Sequence, residues 1–335
     1  MKLIIQIPCY NEEKTLPRTL SDLPPEVPGV DTVETLVVDD GSTDDTVEVA
    51  RKHGVDTIIS LPCNKGLAYA WSAGIDACLA EGADIIVNTD GDNQYCGQDI
   101  PKLVEPIVNG EAEMVVGTRP IESIGHFSWL KKRLQRLGSW VVSWCAGVDV
   151  EDAASGFRAY RSDAAAELNL LSDYSHCTET LIRAARRGIK VANVSIRVNE
   201  KLRDSRLMSS LPAYLFQQLR DILRIVTMVH PLKVFGVPAV AFFLLGSIGC
   251  ARFLWFYFTV SGTGHVQSLL FSVMFIMVAF VLGMVGFAAD MISSNHQLIE
   301  DVLARIKRLD MDAERQHRET IGFQAEPPDE ERNKT

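Results

Sequence analysis

The chain has 335 residues, enough for about two domains at roughly 150 residues each. With 43 acidic and 33 basic residues its net charge is −10, which argues against a dedicated nucleic-acid binder. At 47 % apolar and 23 % charged residues, the composition excludes a disordered chain, a collagen-like chain and a small disulfide scaffold. The mean hydropathy of +0.08 is high for so acidic a chain, as expected if a polar part and a very apolar part are averaged in it.

LIIQIP (3–8) is a short apolar run ended by proline and reads as a buried strand. Residues 12–23 read as a helix, and ETLVVDD (34–40) as a second strand running into Asp39 and Asp40. STDDTVEVARKHG (42–54) is a helix with Ser or Thr caps and an acidic first turn, closed by Gly54. TIISLP (57–62) is a third strand, GLAYAWSAGIDACLAEG (66–82) a helix and ADIIVNTD (83–90) a fourth strand. IPKLVEPIVNG and AEMVVGTR add another helix and strand, and Glu179 begins a helix in CTETLIRAARRG, where an acid suits the macrodipole. This βαβ rhythm predicts an α/β fold, a mostly parallel sheet with helices on both faces. Ligands of such sheets gather outside the carboxyl ends of the strands. Those ends carry Pro8-Cys9-Tyr10-Asn11-Glu12, Asp39-Asp40, Asp90-Gly91-Asp92 and Gly117-Thr118-Arg119.

Beyond residue 210 the composition changes. LPAYLFQQLRDILRIVTMVHP (211–231) has the spacing of an amphipathic helix, suited to a membrane surface or to packing between domains. Val234 to Ala251 carries no charge; Arg252 interrupts, and FLWFYF follows to Phe258. Val266 to Ala289 is a second uncharged run. A membrane-crossing helix needs about 20 apolar residues, so both runs qualify, the first if Arg252 snorkels. Trp255 to Phe258 fit an interfacial aromatic belt. Lys and Arg flank the pair and are missing from the short link at 259–265, so both termini and the globular part are expected in the cytoplasm of a cell-membrane protein. No signal peptide is expected ahead of LIIQIP. Seven cysteines without a CxxC pair fit a reduced compartment. The tail after about Arg318 is polar, rich in Pro and Glu, and expected to be disordered. The division expected is 1–210 globular, 211–231 amphipathic helix, 232–292 two spans and 293–335 helix and tail.

Asp90-Gly91-Asp92-Asn93-Gln94 sits at a strand end. Two carboxylates one residue apart in a turn can reach one hard divalent cation that also takes phosphate oxygens. The plain alternative is an Asp-Gly turn with solvated acids. Neither GxGxxG nor GxxxxGK[ST] is present, so no dinucleotide or ATP fingerprint holds a nucleotide here.

Taken together, IPCYNEE (7–13), VVDDGSTDDT (37–46), NKGLAYAWSAG (64–74), TDGDNQY (89–95) and SGFRAYR (155–161) resemble the inverting nucleotide-sugar glycosyltransferases of family 2, with the GT-A fold. The likeness spans about residues 1–210 and is nearest to the polyprenyl-phosphate hexose synthases, some of which carry two membrane helices. It implies transfer of a hexose from a nucleotide-sugar to a polyprenyl phosphate with inversion. UDP-glucose is the first expectation for the donor and GDP-mannose the second. It also implies a magnesium or manganese ion, membrane attachment and, with the paired helices, a homo-oligomer. By this resemblance Pro8, Tyr10, Asn11 and Glu12 line the base and ribose pocket. Asp40 contacts base or ribose, with Asp39 in support, and Lys65 and Gly66 lie along the nucleotide. Asp90, Asp92 and Gln94 match the metal group holding the diphosphate, with Gly91 between the acids. The family often continues with His-Pro-Pro, where this chain has Tyr95-Cys96-Gly97. Asp92, Asp152 and Arg158 form the implied catalytic group. Asp152 would serve as a base or as an orienter, the latter because a polyprenyl phosphate is already anionic near pH 7. Arg158 would organise its loop, touch a phosphate or form a structural pair. Arg119, with Arg203, Ser205 and Arg206 of RVNEKLRDSRLMSS (197–210), is assigned to the lipid phosphate, guanidinium groups being suited to phosphate. A generic basic patch beside the membrane is the alternative reading of that segment. Two other functions stay open: a processive polysaccharide synthase, disfavoured by the lack of QxxRW, and an inactive membrane scaffold.

Overall fold

The computed structural model describes residues 1–120, 129–168, 176–199, 220, 223–224, 226–227, 229–260 and 266–324. One sheet contains β1 (Lys2–Cys9), β2 (Thr32–Asp39), β3 (Thr57–Ser60), β4 (Ile85–Asn88), β5 (Met114–Thr118), β6 (Arg158–Arg161) and β7 (Val191–Ser195), in the order β3-β2-β1-β4-β6-β5-β7. Strands β1 to β4 are mutually parallel, and β7 is parallel to β5. β6, formed by the SGFRAYR motif, runs antiparallel to both β4 and β5. The mostly parallel sheet expected is therefore mixed at this one strand.

Around it lie α1 (Leu16–Ser21), α2 (Thr46–Lys52), α3 (Leu67–Ala80), α4 (Ile100–Val108), α5 (Trp129–Ala146), α6 (Ser162–Glu167) and α7 (His176–Arg187). β1 is apolar on both faces because both are covered. Leu3, Ile5 and Ile7 pack with Leu16 of α1, Ala50 of α2 and Leu103, Val104 and Ile107 of α4. α3 crosses the opposite face, where a Cβ on Gly74 would collide with Oε1 of Gln6 and approach Val38 to 2.9 Å. The helix read at 12–23 begins only at Leu16. Asn11 adopts φ 53°, and the Glu12 carbonyl accepts the N–H groups of Thr15 and Leu16 in a turn. From β1 the chain builds outward to β2 and β3, then returns to lay β4 on the other side of β1. The carboxyl ends of β1 and β4 thus flank a topological switch point, where open α/β sheets hold ligands.

By contacts the chain divides into Met1–Ser209 with Glu300–Thr335, and Ser210–Ile299. The second unit contains α8 (Pro231–Val260) and the start of α9 (Val266–Gln324). Both helices are long and apolar enough to cross a membrane, with mean hydropathies of 2.1 over Pro231–Thr259 and 2.6 over Val266–Leu303. They meet through small residues, as lipid-embedded helices do. A Cβ on Gly246 would lie 2.7 Å from Ile276 Cγ1, and one on Gly249 would collide with Ser272 Oγ. The Arg252 guanidinium stands 5.7 Å from the Phe256 ring centroid, one turn along. α9 extends to Gln324, six residues past Arg318, and the rest of the tail expected to be disordered lies outside the described residues. Of the helix expected over 211–231, residues 220, 223–224, 226–227 and 229 are helical, and 211–219, 221–222, 225 and 228 lie outside the described residues.

Fully buried Asp99, just before α4, fastens the exit of β7 to the sheet domain. Its carboxylate accepts from Arg197 N at 2.7 Å, Arg197 Nη2 at 2.8 Å and Lys102 Nζ at 2.8 Å. Burial pushes its pKa up, but these donors outweigh burial and hold it at about 2, against 3.8 for an unperturbed carboxyl. Its stabilising contribution is therefore complete above the unfolded value and is lost as pH falls toward 2. Asp99→Asn is expected to cost about 1.5–3 kcal/mol near neutrality, the range for hydrogen bonds to a charged group. Thermal melting should show the gap between wild type and variant closing from pH 5 to pH 2.

Candidate active site

The loops after β1, β2 and β3 are laced together by short polar side chains. The Asn11 N–H donates to Ser42 Oγ at 2.9 Å, and Asn11 Oδ1 accepts the Thr43 N–H at 2.8 Å. The Glu12 N–H donates to Thr46 Oγ1 at 2.8 Å, and its carboxylate accepts from Thr15 Oγ1 at 2.5 Å. Asp39 Oδ1 accepts the Ser42 N–H at 3.0 Å. The two oxygens of Asp40 accept the N–H groups of Lys65 and Gly66 at 2.8 and 2.9 Å. Gly66 has φ 94°, a conformation that side-chain-bearing residues rarely adopt, and opens α3. Asp39 and Asp40 are buried, whereas Tyr10 stays 38 % exposed beside this rim. Lys65 is exposed, with Nζ 4.3 Å from the Tyr69 ring centroid. Thus Pro8 to Glu12, Asp39, Asp40, Lys65 and Gly66 form one bank of the switch point.

The opposite bank is the turn after β4. Asp92 Oδ1 accepts the Gln94 N–H at 3.1 Å, and Asn93 takes φ 56°. Gly91 is required by packing, since a Cβ there would lie 2.8 Å from Cys9 Sγ. The Gly91 carbonyl accepts from Thr19 Oγ1 at 3.1 Å, and the Gln94 carbonyl accepts the Asn199 N–H at 2.9 Å. Asp90 is pushed up to about 7 by burial and then by the charge of Asp92. A second carboxylate close to a desolvated one raises its pKa in this way unless a cation joins them. Among the described residues no group of three His, Cys, Asp or Glu forms a ready metal cage. Two carboxylates and an amide are oxygen donors of the kind a hard divalent cation takes.

Beneath this turn lie residues that hold it. Asn88 accepts from Gln6 Nε2 at 2.9 Å and donates to the Gly156 carbonyl at 2.7 Å. The Gly156 N–H donates to the Tyr95 hydroxyl at 3.0 Å, and the Tyr95 ring stacks on Phe157 at 5.1 Å. A Cβ on Gly156 would lie 3.2 Å from Asp90 Oδ1. Tyr95-Cys96-Gly97 therefore joins the acidic turn to the SGFR loop. Gly97 fits tightly, because a Cβ there would lie 2.5 Å from the Asp22 carbonyl oxygen.

Two residues of the implied catalytic group are engaged inside the protein. Asp152 is fully buried and holds Arg119 in a forked pair, Oδ2 to Nε at 2.6 Å and Oδ1 to Nη2 at 2.9 Å. Arg119 Nη1 has no hydrogen-bond partner among the described residues. Arg158 is also fully buried. It donates to the carbonyls of Ser155 (2.7 Å), Ala153 (2.9 Å) and Cys177 (2.6 Å) and to Thr180 Oγ1 (2.8 Å). Of the roles expected for Arg158, these contacts match the organisation of its loop, with four donors directed at the loop and at the N-terminal end of α7. Arg203, Ser205 and Arg206 lie outside the described residues. The sequence reading passed over His176. It is buried, stacks on Trp71 at 5.7 Å and lies 3.2 Å from Cys177 Sγ. Burial and then the charge of Arg158 lower it to about 4, so it is neutral near pH 7. Neither its spacing nor a motif marked it; only the fold brings α7 under Asp90.

Removing one member of a buried ion pair costs about 3–5 kcal/mol, and replacing both costs less. Arg119→Leu is thus expected to lower the denaturant midpoint sharply, and adding Asp152→Leu to recover part of the loss.

Three comparisons bear on this geometry. Residues 4–168 match the model of glycosyl transferase family 2. The chain is 31 % identical to the UDP-N-acetylglucosamine–dolichyl-phosphate N-acetylglucosaminyltransferase of Methanococcus voltae, over 57 % of this chain and 83 % of that one. It is 29 % identical to the undecaprenyl-phosphate mannosyltransferase of Micrococcus luteus, over 63 % of this chain and 89 % of that one. Glucosyl-3-phosphoglycerate synthase of Mycobacterium tuberculosis, solved with Mn2+, UDP and its product, superposes with a TM-score of 0.52 at 22 % identity, over 68 % of this chain and 78 % of that one. The structural likeness is one of fold, and the sequence likeness extends across the sheet domain: the chain belongs to glycosyl transferase family 2 and is a glycosyltransferase of the GT-A fold.

Proposed function

We propose that the protein transfers a hexosyl group from a nucleoside-diphosphate sugar to the phosphate of a polyprenyl lipid, with inversion at C1, at the cytoplasmic face of a membrane crossed by α8 and α9. The observation that carries this reading is the pair Asp90 and Asp92 at the switch point, close enough for the charge of Asp92 to raise the Asp90 pKa. The names of the Micrococcus and Methanococcus relatives support the acceptor class, and the two apolar helices support a lipid substrate.

In this reading Tyr10, Asn11, Asp39, Asp40, Lys65 and Gly66 frame the nucleoside, and Asp90, Asp92 and Gln94 hold a magnesium or manganese ion. When bound, that ion supplies positive charge to the departing diphosphate. The acceptor phosphate is already an anion, so its oxygen attacks C1 without a deep deprotonation, and the nucleoside diphosphate leaves from the opposite face. Asp152 then acts as a positioning residue. It fixes Arg119 by two hydrogen bonds and leaves Nη1 for a phosphate oxygen. Arg158 holds the SGFR loop against α7 and thereby the floor under Asp90. UDP-glucose is the first donor to test, followed by GDP-mannose and UDP-N-acetylglucosamine.

Purified protein with each labelled nucleotide-sugar and polyprenyl phosphate is expected to yield a lipid-linked monosaccharide with one donor. A long polymer would indicate a processive synthase, and no product with any donor a scaffold. Asp92→Ala is expected to abolish transfer, and wild-type turnover with metal still required would refute the cation assignment. Proton and cation compete for Asp90, so apparent cation affinity should fall roughly tenfold per pH unit below about 7 and level off above it. Calorimetric titration with Mn2+ across that range measures this.

A further inference from the structure

α5 presents two unlike faces. At 3.6 residues per turn, Arg133, Arg136, Leu137, Trp140 and Trp144 lie within an arc of about 100°. All five are exposed, Leu137 at 47 %, Trp140 at 63 % and Trp144 at 50 %. Ser139, Val142 and Cys145 lie on the other face and are buried, where α5 packs on α7. Two exposed tryptophans on one helical stripe are unusual on a water-facing surface, because indole prefers the headgroup layer of a bilayer. The same helix has four basic residues and no acidic one, in a chain of net charge −10. Basic residues flanking interfacial aromatics match an anionic lipid surface.

We infer that the Arg133–Trp144 face of α5 docks on the anionic headgroup layer of the membrane. The inference rests on the reading that α8 and α9 cross that membrane. The inner face of α5 explains the use of such docking. Ser139 Oγ accepts the N–H of Ala153, next to Asp152, at 3.2 Å, and Ser143 Oγ bonds both the N–H and the carbonyl of Val150. A docked α5 is therefore tied, through Ala153, to the segment that carries Asp152, the partner of Arg119. A lipid phosphate is presented in the headgroup layer.

The test uses the full chain in phosphatidylcholine–phosphatidylglycerol nanodiscs with lipids brominated near the headgroup. The difference in emission between wild type and Trp140→Phe/Trp144→Phe isolates this pair from the other tryptophans. Brominated lipid is expected to remove about half or more of that difference emission. Arg133→Glu/Arg136→Glu, or pure phosphatidylcholine, should diminish the quenching. Quenching of the pair by aqueous acrylamide and not by lipid overturns the inference. Protection from both quenchers also overturns it and indicates a second copy of the chain on this face. Trp255, 70 % exposed on α8, is the internal control, isolated with Trp255→Phe. If its emission escapes lipid bromine, the membrane reading of α8 has failed; if only the α5 pair escapes, that reading stands and the docking does not.

Discussion

Two carboxylates held beside each other repel, and the domain is arranged around keeping Asp90 and Asp92 in that relation. Burial and the charge of Asp92 push Asp90 up, so the turn carries a standing repulsion. Backbone geometry resists its relaxation from several sides. Gly91 lies against Cys9, Asn93 takes a left-handed conformation, and Gly156 lies under the Asp90 carboxylate. The Gln6–Asn88–Gly156 chain of hydrogen bonds then joins the turn to the middle of the sheet. Such preorganisation places the cost of bringing like charges together in folding rather than in substrate binding.

The second constraint is the treatment of arginine. Arg119 and Arg158 are both buried, but their donors are used differently. Arg158 spends its donors on three carbonyls and a hydroxyl, which makes it a strut between the SGFR loop and α7. Arg119 is gripped on one edge by Asp152 and keeps a nitrogen that the described residues do not use. A guanidinium fixed by a carboxylate loses little further entropy on meeting a phosphate, a recognised use of the forked pair. In the proposed mechanism, an acidic residue that resembles a base in one dimension serves to aim a base-independent phosphate contact.

The motifs at the strand ends were legible because each is local. A strand ending in two acids, or an Asp-Gly-Asp turn, is written in consecutive residues and is held by hydrogen bonds within a few positions of itself. The two apolar helices were equally legible, because hydrocarbon sets a minimum run length. β6 and α5 were not. β6 is short and carries Arg158 and Tyr160 where a strand pattern would place apolar residues, and it is stabilised by pairing with β4 and β5. α5 mixes exposed tryptophans with basic residues, so its periodicity is blurred.

The sequence by itself determined the class of fold, the acidic turn and the membrane-length helices, since periodicity, turn chemistry and run length act over short stretches of chain. Only the tertiary structure decided which groups Asp152, Arg158, Tyr95 and His176 meet. Their partners lie tens of residues away in sequence, as Asp152 with Arg119 and Tyr95 with Gly156 show. Whether a buried charge is free to react or is already paired depends on which distant groups the fold brings within hydrogen-bond reach, and no local pattern records that.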